Sequence, residues 1–383
     1  MSRWLRRVLC WSVLLLAPTR AWTQLSTSDH LADPGFWPTQ PARYRTEYVG
    51  DAACAQCHAS IAASSRQTQM AHALLPASAS DALQTHPNLS FLFQRYRYQI
   101  ATKDSVANYS VSDGAHVLHA QLLWAFGVGR VGQTYLYKRP DGQFYEARAT
   151  YFPSLQGLNF TPGRALTAPS SLEDAMERHV ETSEVVRCFS CHATGAILGS
   201  SLQETSMVPG VHCEACHAPG AKHVAAMQRL MAGKSSSPKL EIFNPAQLMP
   251  EDSMDFCGAC HATWWDAKLS GTHGPASTRA PAYRLEGSRC WISTYDARLT
   301  CITCHDPHVP LQTNPLAYDA HCLNCHAKTA GTKPTAQHPG AACPISTSRC
   351  TTCHMPKVYV PEMHSDFTDH RIRIARQGEP FPE

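Results

Sequence analysis

Cys-x-x-Cys-His occurs seven times in this 383-residue chain, and that repetition restricts the fold more than any other feature. The copies are Cys54/Cys57/His58, Cys188/Cys191/His192, Cys213/Cys216/His217, Cys257/Cys260/His261, Cys301/Cys304/His305, Cys322/Cys325/His326 and Cys350/Cys353/His354. The pattern is the attachment motif of c-type haem. Two thiols form thioethers to the porphyrin, and the adjacent imidazole binds the iron from one side. Random placement of the same residues predicts roughly 0.04 copies. A zinc knuckle also uses Cys-x-x-Cys, but it needs a second half-site and no His directly after the second Cys. Every pair here carries that His. The sequence therefore implies seven covalent haem c groups, with the fourteen cysteines as attachment points and the seven motif histidines as iron ligands.

The first 22 residues read as a secretory leader. Arg3, Arg6 and Arg7 precede a short apolar run, Val8 to Ala17, and Thr19 and Ala21 suit a cleavage site. The run is too short to span a bilayer, and no later stretch is apolar enough. The mature form is expected to carry no membrane span and to reside in the periplasm or elsewhere outside the cytoplasm. Loss of the leader removes four arginines from a formal charge of +3, leaving 29 basic against 30 acidic side chains. Haem propionates make the balance more acidic, so nucleic acid is an unsuitable partner. Fourteen of 17 cysteines lie in motifs, and Cys10 lies in the leader. Cys290 and Cys343 remain, as a disulfide or as two thiols.

Motif density divides the chain. Residues 45–90 hold one motif, and residues 166–375 hold six. Between residues 188 and 354 there is about one motif per 28 residues, too dense for an ordinary side-chain core. Porphyrins must replace it, wrapped by short helices and loops. Residues 91–165 contain no Cys and read as an insert of four to six antiparallel strands, with turns at Asp113-Gly114 and Asp141-Gly142. A helix is expected over residues 171–186, capped by Ser170 or Ser171. The motif intervals of 134, 25, 44, 44, 21 and 28 residues exclude a regular repeat array.

The remaining histidines supply candidates for the opposite face of each iron. His305 and His308 are three residues apart, so their Cα atoms are separated by at most roughly 10–11 Å. The tight Asp-Pro turn between them directs His308 to a neighbouring haem. A Pro-Gly turn separates His217 from His223, and His223 is likewise expected to cross over. If residues 59–71 were helical, His58 and His72 would lie about 21 Å apart along the axis, so His72 would serve another iron or follow a bend. His364 and His370 are further candidates, too close to the last motif for both to bind its iron. His273 and His338 fill the remaining places.

Several segments resemble the periplasmic multihaem cytochromes of the cytochrome c554-like group. They are Cys257-Gly-Ala-Cys-His261, Tyr283-Arg284-Leu285-Glu286, Ser288-Arg289-Cys290-Trp291, Cys301-Ile-Thr-Cys-His-Asp-Pro-His308, Cys350-Thr-Thr-Cys-His-Met-Pro356 and Phe367-Thr-Asp-His-Arg-Ile372. Cys213-Glu-Ala-Cys-His-Ala-Pro-Gly220 also fits, with Ala218 where that group usually has Gly. The resemblance implies a mainly α-helical and irregular, haem-packed multihaem cytochrome c with an inserted antiparallel β-rich segment. It implies closely stacked haems with His axial ligands, in a respiratory chain. Suitable partners would be a quinol-oxidising module, other cytochromes or a terminal reductase. The leading expectation is electron transfer, with no catalytic residue singled out. One alternative is a reductase or oxidoreductase of a small nitrogen or sulfur species at a five-coordinate haem. Some relatives of that kind carry Lys in place of the motif His, and this chain does not. A haem-bearing docking subunit of a redox complex is the other alternative.

Overall fold

The computed structural model describes residues 44–163, 167–234, 239–294, 299–326, 343 and 345–383. The expected leader and His338 lie outside these residues. The described chain combines short helices with several small antiparallel sheets.

Alternation of apolar and polar side chains builds the β-rich part. In β3 (Tyr96–Lys103) Tyr96, Tyr98 and Ile100 face inward, and in β4 (Val106–Ser112) Ala107, Tyr109 and Val111 do so. With β2 (Asn88–Phe93) and β5 (Val117–Gln121) they form a four-stranded antiparallel sheet in the order β2-β3-β4-β5. A second antiparallel sheet runs β1-β6-β7-β8-β11. Its strands are β1 (Leu74–Pro76), β6 (Trp124–Phe126), β7 (Thr134–Lys138), β8 (Phe144–Ala147) and β11 (Glu177–His179). The hairpin of β9 (Ala149–Phe152) and β10 (Gly157–Phe160) completes the layer. Between residues 88 and 160 there are thus nine strands, more than the four to six expected. Several are only three or four residues long, below the length at which alternation is legible. The sheet system also recruits β1 from before the expected insert and β11 from after it.

Recruitment of β11 divides the helix expected over residues 171–186. Leu172–Met176 is helical, and the Ser171 Oγ caps it by accepting from the Asp174 N–H at 3.1 Å. The chain then extends to pair with β8, because Glu177 accepts the Tyr137 hydroxyl and the Arg139 guanidinium on the sheet. A helix resumes over Thr182–His192 and ends on the second motif. Local helical propensity yields here to sheet pairing and an ion pair.

The main apolar core lies inside the sheet system, around buried Tyr96, Tyr98, Tyr109, Tyr135 and Tyr137. A second cluster, including Leu74, Val185, Val186 and Phe189, packs the Thr182–His192 helix onto the five-stranded sheet. Beyond residue 210 the buried apolar clusters contain only three or four residues each. That contrast is the one expected where side chains do not fill the interior by themselves.

Candidate haem-binding site

Each motif lies in or against a helical turn. Cys54 is in Asp51–Ala55, and the second motif closes Thr182–His192. The third is the helix Cys213–His217, and the fourth ends Pro250–His261. The fifth occupies Cys301–Cys304, the sixth ends Asp319–His326, and the seventh is Cys350–His354. One turn of helix brings residues i and i+3 to the same face, so both thiols of a motif point to one side.

The residues after two of these helices show how tightly the chain must turn away. Ala218 sits at φ +64° and Ala262 at φ +59°, a region that costs an L side chain energy and suits glycine. Ala218 is the position where the resembling group usually has Gly. Gly210 (φ +91°), between the second and third motifs, has a stricter role. A Cβ there would lie 2.0 Å from the Ala71 carbonyl oxygen. Its N–H donates to the His192 carbonyl at 3.0 Å, and the Val211 N–H donates to Met70 at 2.8 Å. Only a bare Cα lets these segments close together.

Cross-motif contacts join the helices in three groups: the first with the third, the second with the fourth and fifth, and the sixth with the seventh. Thiols meet between Cys54 and Cys213, Cys191 and Cys260, Cys257 and Cys301, and Cys322 and Cys350. Carboxylates tie the same helices together. Glu214, inside the third motif, accepts the Val49 and Gly50 N–H groups at 2.9 and 2.8 Å, just before the first motif helix. Asp319, at the start of the sixth motif helix, accepts the N–H groups of Arg349 and Cys350 at 2.7 and 2.9 Å, where the seventh begins.

Three histidines outside the motifs stand opposite motif imidazoles. His223 faces His58 with ring centroids 6.5 Å apart and planes 18° apart. His308 faces His217 at 6.0 Å and 11°, and His370 faces His305 at 6.2 Å and 41°. Two imidazoles sharing one metal, each bonded at about 2 Å, have centroids about 6 Å apart. The hydrogen bonds suit the same arrangement. Nδ1 donates to Leu240 O in His223 (2.6 Å), to Phe243 O in His217 (2.9 Å) and to Thr368 O in His370 (3.1 Å). In His308 it meets Asp306 Oδ1 at 3.1 Å. His192 and His354 use Nδ1 in the same way, toward Ala73 O and Arg373 O. A proton fixed on Nδ1 leaves Nε2 as the unprotonated, metal-binding nitrogen. Burial also holds His192, His217, His261 and His305 below the usual imidazole range, and brings His370 to about 4. Neutral imidazoles in opposed pairs, beside paired thiols, fit a haem iron.

The other candidates are placed differently. The helix after the first motif ends at Ser65, short of the run to residue 71 considered from the sequence, and the chain turns before His72. There His72 Nε2 meets the Arg66 carbonyl at 3.0 Å. His364 Nε2 accepts from Asn159 Nδ2 at 3.1 Å, and its ring packs edge-on against Phe152. His273 donates from Nδ1 to Gly271 O at 2.6 Å. No disulfide joins Cys290 to Cys343. Among the ring contacts of the described residues, His192, His261 and His354 face no second imidazole.

With this geometry established, comparison with known proteins is informative. The family model described as cytochrome c554 and c-prime matches residues 164–218, the stretch carrying the second and third motifs. These findings support a multihaem c-type cytochrome. No curated protein matches the chain. Among solved structures, the crystal structure of outer cell wall cytochrome OcwA is similar over 57% of this chain and 38% of that one, at 16% identity and a TM-score of 0.31.

His212 of this chain illustrates the opposite chemistry from the paired imidazoles. Its Nδ1 donates to Asp51 Oδ2 at 2.7 Å and its Nε2 to the Pro209 carbonyl at 2.9 Å. Two acceptors favour the doubly protonated ring. The Asp51 hydrogen bond raises the His212 pKa, and the same bond lowers Asp51 to about 2. Asp51 lies in the first motif helix and His212 directly before the third, so this pair closes the same joint as Glu214. Asp51 contributes fully above its unfolded pKa, near 4, and loses its contribution as pH falls through about 2. His212 contributes fully below about 6.5 and loses its contribution as pH rises through its raised pKa. Between about pH 4 and 6.5 the pair is therefore worth ~2 kcal/mol. Asp51→Asn is expected to lower the denaturation midpoint most in that window. An equal loss at pH 5 and pH 9 would contradict the ion pair.

Proposed function

We propose that this chain is a seven-haem c-type cytochrome that passes electrons between closely packed haems in an extracytoplasmic respiratory chain. The opposed histidine pairs, with centroids 6.0–6.5 Å apart, are the observation that carries the reading. Bound haem supplies a one-electron iron couple whose potential follows axial ligation, burial and hydrogen bonding. The chain's own residues set those conditions. Cys54, Cys57, Cys188, Cys191, Cys213, Cys216, Cys257, Cys260, Cys301, Cys304, Cys322, Cys325, Cys350 and Cys353 attach the groups. His58, His192, His217, His261, His305, His326 and His354 bind from one face, and His223, His308 and His370 bind from the other at three sites. Carbonyls of Leu240, Phe243 and Thr368 orient the rings. Ligation by two histidines gives lower potentials than Met/His ligation.

Contacts between motif helices, together with the His308–His217 and His370–His305 pairs that bridge the three groups they form, support transfer along the series. The pairing of the third motif with His308, which follows the fifth, brings distant segments to a shared centre. The partners proposed are a quinol-oxidising module, another cytochrome or a terminal reductase, on the outer side of the membrane. Among the described residues no helix is long and apolar enough to cross a bilayer.

Intact mass of the secreted protein, with a pyridine haemochrome count, tests the number of haems. Seven haem masses per chain are expected, and fewer would overturn the count. Carbon monoxide added to the dithionite-reduced protein tests the role. Three irons at least should resist carbon monoxide, and prompt binding by all of them would remove the electron-transfer reading.

A further inference from the structure

The segment that presents His370 is held by an unusual concentration of buried charge. Asp369 is fully buried and Arg284 is 2% exposed. Arg284 Nε donates to Asp369 Oδ1 at 2.8 Å and Nη2 to Oδ2 at 2.9 Å, a two-pronged contact. Arg373 Nη1 adds a bond to Oδ2 at 2.6 Å, and the Arg371 N–H donates to Oδ1 at 3.0 Å. Residues 381–382 cover the far side of Arg284. The Phe381 ring lies 4.6 Å from its guanidinium carbon, and Pro382 O accepts from Nη1 at 2.8 Å.

Arg284 stands on the helix Pro281–Glu286, which packs against Pro250–His261, the helix of the fourth motif. Asp369 precedes His370 directly. The Ser288 Oγ accepts the Ile372 N–H at 2.8 Å and donates to the His370 carbonyl at 3.3 Å. Backbone on both sides of His370 is thus tied to one rigid neighbour. Burial of a charged pair is a weak source of stability, because desolvation offsets much of the attraction. Its better-attested use is to fix one arrangement among several.

We propose that Arg284 and Asp369 form a positioning pair that holds the His370 imidazole against the iron carried at His305. The pair touches no haem atom and acts through His370. This inference rests on the haem reading above and names what secures one of its ligands. Loss of the two-pronged contact frees residues 368–371 to shift. A centroid separation of 6.2 Å leaves little tolerance, since a displacement of about 1 Å breaks a metal–nitrogen bond near 2 Å.

The test compares the full-length holoprotein with Arg284→Met, Arg284→Lys and Asp369→Asn. His370→Gly supplies the reference spectrum for loss of this ligand. Haem content, the electron paramagnetic resonance spectrum of the oxidised form and carbon monoxide uptake of the reduced form are measured on each. Arg284→Met is expected to keep the wild-type haem count and gain up to one high-spin iron per chain, matching the His370→Gly signal. Added imidazole should return that iron to low spin. Arg284→Lys, which keeps the charge and stem but not the fork, should show a smaller fraction of the same signal and decides the matter if Arg284→Met does not accumulate. Unchanged low-spin spectra in Arg284→Lys and Asp369→Asn, with only a lower unfolding midpoint, would overturn the positioning role. Absence of haem from the wild-type protein would overturn the haem reading instead, so the two failures are distinct.

Discussion

On the proposed haem reading, replacement of His308 by glycine is expected to convert one iron from inert to carbon monoxide-binding. His308 lies in the turn after the fifth motif, with its side chain 40% exposed. Its removal therefore opens no apolar core, and the fold should tolerate it. What it removes is the imidazole 6.0 Å from His217. The reduced variant should take up one equivalent of carbon monoxide more than the wild type, and its oxidised form should gain one high-spin signal. His308→Met should keep that iron six-coordinate and raise its potential by on the order of 0.1 V, a fraction of the roughly 0.8 V that axial ligands span. If neither variant changes a spectrum or a potential, His308 binds no iron.

The turn of His308 away from His305 was legible in the sequence, for a geometric reason. Three residues and a proline leave little room for two imidazoles on opposite faces of one metal, so His308 is expected to turn away from His305, and its ring faces His217. The same argument applied to His223, which stands opposite His58. Periodicity likewise marked β3 and β4, where buried tyrosines alternate with polar residues. The Asp113-Gly114 turn was visible too, and Asp113 Oδ1 accepts the N–H groups of Ala115 and His116. The turn at Asp104-Ser105 was not, because both residues adopt positive φ without a glycine to advertise it. Length hid the short strands. Partner choice hid the rest: Glu214, Asp51, His212 and the Arg284–Asp369 pair act between segments more than eighty residues apart, and no local pattern marks such contacts. Glu214 even occupies a variable position of its motif.

Glu214 carries the largest effect expected on stability. Its side chain is 5% exposed, yet it accepts three backbone N–H groups, from Val49, Gly50 and Gly220, at 2.8–2.9 Å. Two of these lie at the N-terminal end of the first motif helix, where N–H groups have no partner within the helix. The third lies past the Ala218 turn, in the loop leading away from the third motif. Deleting the carboxylate leaves all three donors without an acceptor, at about 1–3 kcal/mol for each that stays buried. Glu214→Ala is thus expected to cost about 3 kcal/mol or more, read as a lower denaturant midpoint. Glu214→Gln keeps one carbonyl oxygen and should lose roughly half as much, because one oxygen can still accept while the amide group cannot. Neither substitution alters Cys213, Cys216 or His217, so haem content should stay at the wild-type value. A midpoint unchanged in the alanine variant would mean that water replaces the carboxylate and that the joint between the first and third motifs is held by the Asp51–His212 pair alone. If haem content falls together with the midpoint, the joint is needed while the groups are being attached.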